Sequence, residues 1–167
     1  MVAVENTEQD LLIHLQGVEF AYAGREPVLR GLDFSLRRGE RIGLSAPNGS
    51  GKTTLLHVIM GLLKPSAGTV EIFGRAMKTE KDFATIRGRI GLLFQDADDQ
   101  LFNPTVLEDV AFGPLNQGLS RSEAIAISRD TLQFLGLADL ARRVTFHLSG
   151  GEKRMVALAS VLAMQPE

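Results

Sequence analysis

The stretch SAPNGSGKTT, residues 45–54, most constrains what this chain can fold into. An apolar run, RIGLSA (41–46), leads into it, and a helix-forming run, KTTLLHVIMGLL (52–63), leads out. A glycine-rich loop of this kind binds phosphate only where a strand delivers it and a helix departs from it. Gly49 and Gly51 free the backbone to turn N–H groups inward around an anion. The helix beginning at Lys52 aims the positive end of its dipole at the same point. Lys52 supplies a mobile cation for the β and γ phosphates. Thr53 offers a hydroxyl to Mg²⁺, which must arrive with the nucleotide because nothing else here cages it. The expected nucleotide-binding set is therefore Ala46, Pro47, Asn48, Gly49, Ser50, Gly51, Lys52, Thr53 and Thr54. Ala46 departs from the usual G-x-x-x-x-G-K-[ST] pattern, which starts on glycine. One added methyl narrows the backbone angles, so the expectation is a tolerated change with weaker affinity. The bland alternative, a glycine-rich turn before a helix with a chance Lys-Thr, is disfavoured by the strand before and the helix after.

Around this loop the chain reads as mixed α/β. LLIHLQGVEFAY (11–22) alternates apolar and polar like a strand. VLRGLDFSLRRGE reads as a second strand and turn, with Leu32, Phe34 and Leu36 on one face. RIGLSA (41–46), GTVEIFGRA (68–76) and RIGLLFQ (89–95) read as three more strands, the last apolar enough to be buried on both faces. The helix from Lys52 is expected to run to about Leu63, stopped by Lys64-Pro65.

After Gln95 the texture becomes helical. Thr105 with Glu108, and Ser120 with Glu123, match capping boxes. The second opens a helix with Ile125, Leu132 and Leu135 on one stripe, Ile127 and Phe134 beside it, and Gly136 as C-terminal cap. A last helix opens at Leu148–Gly151 and runs to Met164. A single incomplete domain over 1–167 is expected, β-rich over 1–95 and helical over 96–167.

Charge and composition exclude some functions. The net charge of −2 gives no basic bias toward nucleic acid or anionic lipid. Without cysteine there are no disulfides or thiolate metal sites. The N-terminus MVAVENTEQD lacks the basic and apolar regions of a secretory signal. The strongest apolar run, LLHVIMGLL, is far short of the ~20 residues needed to span a bilayer.

Three further features carry chemistry. LSGGE, residues Leu148, Ser149, Gly150, Gly151 and Glu152, is a second helix-start anion site. Taken alone it reads equally as a simple helix cap. Gln95 ends a strand, where a glutamine can reach Mg²⁺ or an attacking water; alone it is also an ordinary polar strand end. Tyr22, the only tyrosine, precedes the loop and can stack on an adenine ring, though a generic aromatic fits it as well.

Taken in order, Tyr22, the loop at 46–54, Gln95 and LSGGE at 148–152 resemble the ATP-binding cassette (ABC) family of ATPases, over about residues 11 to 167. The segment QDADDQLFNPTVLEDVAFGP (95–114) resembles a narrower group, the ATPase subunits of energy-coupling-factor and cobalt or nickel uptake transporters, with DDQLF carrying most of that likeness. DADD on its own is a solvated acidic loop and is not read as a metal site. The resemblance implies a P-loop NTPase fold with an antiparallel β subdomain and a helical subdomain. It implies ATP with Mg²⁺ held through Thr53 and Gln95, and a second ABC subunit, the same or different. Ser149, Gly150 and Gly151 of one subunit would close over the γ-phosphate held by the other. Transmembrane subunits would dock through the Gln95 region at the cytoplasmic face of the membrane, with no nucleic acid involved. The family often has arginine where this chain has Met155; Arg154 stands next to it.

The family's next element is a strand ending in Asp-Glu, then a switch histidine, and none lies within residues 1–167. His14, His57 and His147 all precede that point, and His14, on a strand, and His57, on the helix after the loop, read as structural or surface residues. The expectation is little or no ATP hydrolysis by these residues alone, and an exposed apolar face on RIGLSA that favours poor solubility or self-association. Two rivals stand beside the transporter reading. One is a cassette that holds nucleotide or a partner without turnover. The other is a non-transport ABC ATPase of the DNA-maintenance type, which the lack of a sustained heptad between Lys52 and Ser149 disfavours. The solute rests on family resemblance alone, and vitamin uptake is an alternative to cobalt or nickel.

Overall fold

The inward positions of the first strand, β1 (Leu11–Phe20), are Ile13 and Leu15, then Val18 and Phe20. The spacing slips by one residue between the two pairs, and pairing with both neighbours shifts at the same place. An extra residue of this kind is a β-bulge. Gly17 takes it up at φ 57, with its N–H donating to Asp33 Oδ1 at 2.7 Å. The bulge lets an imperfect alternation in the sequence still bury one face.

The computed structural model describes residues 10–167, in two compact units: one running to Ile86 and one from Arg87 to Glu167. The first unit holds a four-stranded sheet of order β2-β1-β3-β4, every pairing antiparallel. β2 spans Leu29–Arg37, β3 Ala67–Ile72 and β4 Arg75–Ala76. Leu32, Phe34 and Leu36 are half-buried, between exposed neighbours Asp33 and Ser35, as the alternation predicts. The predicted strand at 68–76 is in fact a hairpin. Phe73 (φ 50) and Gly74 (φ 71) form its two-residue loop, and two consecutive positive φ angles mark the turn that matches strand twist.

Two helices complete this unit, α1 (Lys52–Ile59) and α2 (Glu80–Ile86). α1 buries Leu55, Val58 and Ile59. It stops before the predicted Leu63 because Gly61 enters the left-handed region at φ 67. The Gly61 N–H then bonds Val58 O at 3.0 Å and the Leu62 N–H bonds His57 O at 2.8 Å. That pair of bonds is a Schellman close, so glycine ends the helix before proline is reached.

The predicted strand RIGLSA makes no strand ladder among the described residues, and Ile42 and Leu44 are 45% and 42% exposed. RIGLLFQ likewise joins no ladder; its Arg89 carbonyl accepts from the Glu167 N–H at 2.9 Å, and Leu93 and Phe94 are exposed. Both runs have strand composition, but a strand exists only where a neighbour completes its backbone hydrogen bonds. The expected exposed apolar face on RIGLSA is present.

The second unit is helical: α3 (Val106–Asn116), α4 (Arg121–Phe134) and α5 (Gly150–Leu162), with short 3-10 turns at 97–99, 138–140 and 145–147. Its core gathers Leu101, Val106, Val110, Leu132, Leu148 and Val156. Both predicted capping boxes form, Thr105 with Glu108 and Ser120 with Glu123. Gly136 closes α4 at φ 72 as predicted, with the Leu137 N–H bonding Leu132 O at 2.7 Å. The buried face of α4 is Ala124, Ser128 and Leu132, with Ile125, Ile127 and Leu135 at its margin. Ser128 is tolerated inside because its hydroxyl donates to Ala124 O at 2.7 Å. Phe134, expected beside the stripe, is 83% exposed; it lies two residues past Leu132, about 200° around the helix from it. Among the described residues no helix is long and apolar enough to cross a membrane.

Candidate functional site

The loop at 46–54 turns on two glycines. Gly49 sits at φ 80 and Gly51 at φ 96, both in the left-handed region. Gly51 is required twice, because a Cβ there would fall 2.7 Å from Val28 Cγ1. It is also the N-cap of α1 and brings no side-chain cap, and the first turn carries no acidic residue. Its contrast with the other helices is sharp. α3, α4 and α5 each start on a reciprocal capping box, and Thr79 and Asp82 exchange bonds at the start of α2. The first N–H groups of α1 are therefore left to an external acceptor.

Lys52 reaches back over the loop and donates to Ala46 O at 2.7 Å and Pro47 O at 2.8 Å. A third bond, Ser50 N–H to Pro47 O at 3.3 Å, tightens the turn around Asn48 and Gly49. The methyl of Ala46 leaves its carbonyl available to this lysine. A phosphate would compete for the ammonium against two neutral carbonyls, a contest that favours the charged acceptor. Thr53 is exposed in the first turn. Thr54 is buried and its hydroxyl pairs with Tyr22 at 3.1 Å. Tyr22 also stacks edge-on against Phe20, with centroids 5.0 Å apart, and keeps 40% of its surface exposed. The structure thus places Tyr22 beside the first turn of α1, a juxtaposition the sequence order alone does not dictate.

At the LSGGE turn, Ser149 is the N-cap of α5. Its Oγ accepts from the Glu152 N–H at 3.3 Å, and Glu152 Oε2 accepts from the Ser149 N–H at 2.7 Å. The Ser149 N–H, then its hydroxyl, then nearby Arg143 hold the Glu152 carboxyl below the usual range. Arg143 pairs with Glu152 at 3.1 Å. Leu148 is buried in the unit's core and anchors the turn, while Ser149, Gly150 and Gly151 are exposed. A Cβ at Gly150 or Gly151 would meet nothing within 4 Å, so packing within the chain does not demand glycine at either position. Met155 and Arg154 are both exposed, and α5 makes its ion pairs through Glu152 and Lys153 instead.

Gln95 is exposed and precedes the 3-10 turn at 97–99. Asp96 caps that turn, its Oδ1 accepting from the Asp98 N–H at 3.0 Å. No cluster of three or more acidic or histidine side chains suited to a metal ion occurs among the described residues. His14 lies half-buried on β1, His57 in the last turn of α1 and His147 exposed before α5.

Sequence reasoning missed three features. Asp109, which reads as a routine helix residue, is buried. Its Oδ1 accepts from the Phe102 N–H at 3.1 Å, the Asn103 N–H at 3.0 Å and Asn103 Nδ2 at 3.0 Å. The bland acidic loop DADD contributes a salt bridge, Asp98 to Lys153 at 2.5 Å. Gln100 bridges two segments of backbone. Asp98 and Gln100 both sit inside the DDQLF element, whereas Asp109 left no signal.

Comparison with known proteins fits this geometry. The family profile described as ABC transporter matches residues 29–167. A putative ABC transporter ATP-binding protein of Nitratidesulfovibrio vulgaris is 56% identical over 162 residues, covering 96% of this chain and 59% of that protein. The energy-coupling factor transporter ATP-binding protein EcfA of Methanothermobacter thermautotrophicus is 45% identical over 157 residues, covering 93% of this chain and 50% of that protein. The dimeric post-hydrolysis structure of the ATP-binding cassette MJ0796, bound to ADP and Pi, superposes with a TM-score of 0.83 at 28% identity. It covers 93% of this chain and 71% of that one. The chain thus spans between half and three-fifths of the length of these two curated relatives.

Proposed function

Starting from the fact that this chain belongs to the ABC transporter family, we propose that it is the nucleotide-holding part of a transport ATPase subunit of energy-coupling-factor type. The observation that carries this reading is α1: a helix with a left-handed glycine N-cap, no capping side chain, and Lys52 folded over its entrance. Its first-turn N–H groups and Lys52 suit the β and γ phosphates of ATP. Thr53 would share the accompanying Mg²⁺, whose charge offsets that of the phosphates. Tyr22 would lie against the base, a role that its exposure beside Thr54 supports. The likeness to EcfA supports the subfamily.

Ser149, Gly150 and Gly151 would close over the γ-phosphate held by a second cassette. Their exposed turn supports this, since no packing among the described residues explains two glycines there. The cassette MJ0796 is dimeric with ADP and Pi, which supports a paired arrangement. Gln95 and the segment after it would face transmembrane subunits at the cytoplasmic side. Cobalt, nickel or a vitamin is the proposed class of solute. Residues 1–167 carry the phosphate-holding groups, whereas the Asp-Glu pair and histidine that the resemblance calls for do not lie among them.

The test is equilibrium binding of radiolabelled ATP with and without Mg²⁺, in the native protein and in Lys52→Met. Binding should be Mg²⁺-supported and fall by about 10- to 100-fold in the variant, the worth of a charge-assisted bond. Equal binding by the two proteins would remove the reading. Binding with no phosphate release from the assembled transporter would favour the second reading, a cassette that holds nucleotide without turnover.

A further inference from the structure

The element DDQLF, which the phosphate chemistry leaves unused, makes a specific set of bonds. Gln100 Oε1 accepts from the Phe94 N–H at 3.2 Å. Its Nε2 donates to Ala157 O in α5 at 2.9 Å. Ala157 is internal to the helix, so its carbonyl spends a second lone pair on the glutamine. Lys153, one turn earlier on the same face of α5, pairs with Asp98. The next residue, Leu101, is buried in the core and fixes the stem of Gln100. One side chain therefore ties the backbone immediately before Gln95 to the helix that presents Ser149, Gly150 and Gly151.

From this geometry we infer that Gln100 is a positioning residue. It makes Gln95 and the Ser149–Gly151 turn move as one body, so that a shift at Gln95 reaches the turn that closes on the opposing nucleotide. The inference rests on the proposed roles of Gln95 and Ser149. A glutamine suits the task because it alone offers an acceptor to one strand of backbone and a donor to another at this length. Asparagine is too short to span both, and glutamate has no donor for the Ala157 carbonyl.

Two variants of the full-length subunit in its transporter complex test this. Gln100→Met keeps the stem and removes both bonds. Gln100→Glu keeps the acceptor toward Phe94 and loses the donor toward Ala157. Both should lower kcat for ATP while leaving KM and nucleotide affinity unchanged, by about five- to tenfold in Gln100→Met, where the closing step loses two modest hydrogen bonds, and by about two- to fivefold in Gln100→Glu, where it loses one. In Gln100→Met the amide protons of residues 93–95 should also exchange about fivefold faster. Unchanged kcat in both variants would overturn the inference. So would a fall in nucleotide affinity and melting temperature in step with kcat, which marks simple packing. A native complex that binds no ATP would sink the proposed function instead. In that case the exchange rates decide the strut separately: faster exchange at 93–95 supports the tie, and unchanged exchange refutes it.

Discussion

Replacing Ser149 separates its two assigned duties, capping α5 and donating to a phosphate. The cap bond runs from the Glu152 N–H to Ser149 Oγ at 3.3 Å, longer than the usual ~2.9–3.0 Å for N–H···O. The reciprocal bond, from the Ser149 N–H to Glu152 at 2.7 Å, uses backbone and survives any substitution but proline. Ser149→Ala should therefore cost the lower half of the usual N-cap range, about 0.5–1 kcal/mol. That corresponds to a fall in Tm of about 1–4 °C for a chain of this size. Ser149→Gly should cost only a few tenths of a kcal/mol, because glycine is itself a fair N-cap. Both variants lose the hydroxyl equally. If that hydroxyl donates to a γ-phosphate, each should weaken ATP-driven pairing of cassettes by about 10- to 150-fold, the range for a bond to a charged acceptor. Thermal melts without nucleotide and light scattering with ATP read the two effects separately. A Ser149→Gly protein that pairs like the native one, beside an alanine variant weakened only in proportion to its lost stability, would reduce Ser149 to a helix cap.

Gly51→Ala should destabilise the protein by more than the ~1–2 kcal/mol of a left-handed alanine, since the new Cβ also meets Val28; a melt within 1 °C of native contradicts this. Gly151→Ala should do the reverse, keeping or raising Tm because helical alanine is favoured by about 0.5–1 kcal/mol, while ATP-driven pairing falls; native pairing would show that the bare turn is incidental. Leu132→Ala, in the fully buried heart of the helical unit, should cost about 2–5 kcal/mol in denaturant unfolding. The carboxyls of Glu123 and Glu152 are held low by their capping serines: Glu123 first by the Ser120 hydroxyl, Glu152 first by the Ser149 N–H. Folded values below unfolded ones stabilise above the ordinary glutamate pKa of ~4.3 and lose that stabilisation as pH falls through the folded value. Stability should thus be flat above pH ~5 and decline below ~4, less steeply in Glu152→Gln, whose side chain does not titrate.

Local chemistry was legible in the sequence wherever a few adjacent residues decide the outcome. Thr105 with Glu108 and Ser120 with Glu123 are complete signals, because both halves of each box lie within one turn. The turn at 46–54 is legible for the same reason: Gly49, Gly51 and Lys52 lie next to one another in the chain. What the sequence withheld depends on partners distant along the chain. RIGLSA and RIGLLFQ have strand composition, yet ladder pairing is a property of two segments and not of one. The Phe73-Gly74 hairpin was hidden because a phenylalanine at positive φ carries no sequence signature. Gln100 was quoted within a family element, but its span from Phe94 to Ala157 joins residues 63 positions apart (157 − 94 = 63).

If the uncapped start of α1 holds nucleotide as proposed, it ties the protein's endurance to the metabolic state around it. A ligand that binds only the folded chain adds RT ln(1 + [L]/Kd) to its stability, about 2.7 kcal/mol at a hundredfold excess over Kd. The other four helices carry side-chain closing groups at their first turns. Energy depletion would therefore loosen this molecule at one place first, the opening turn of α1. Proteases and chaperones that sample transiently opened chains would then encounter the Lys52 segment in starved cells sooner than in fed ones.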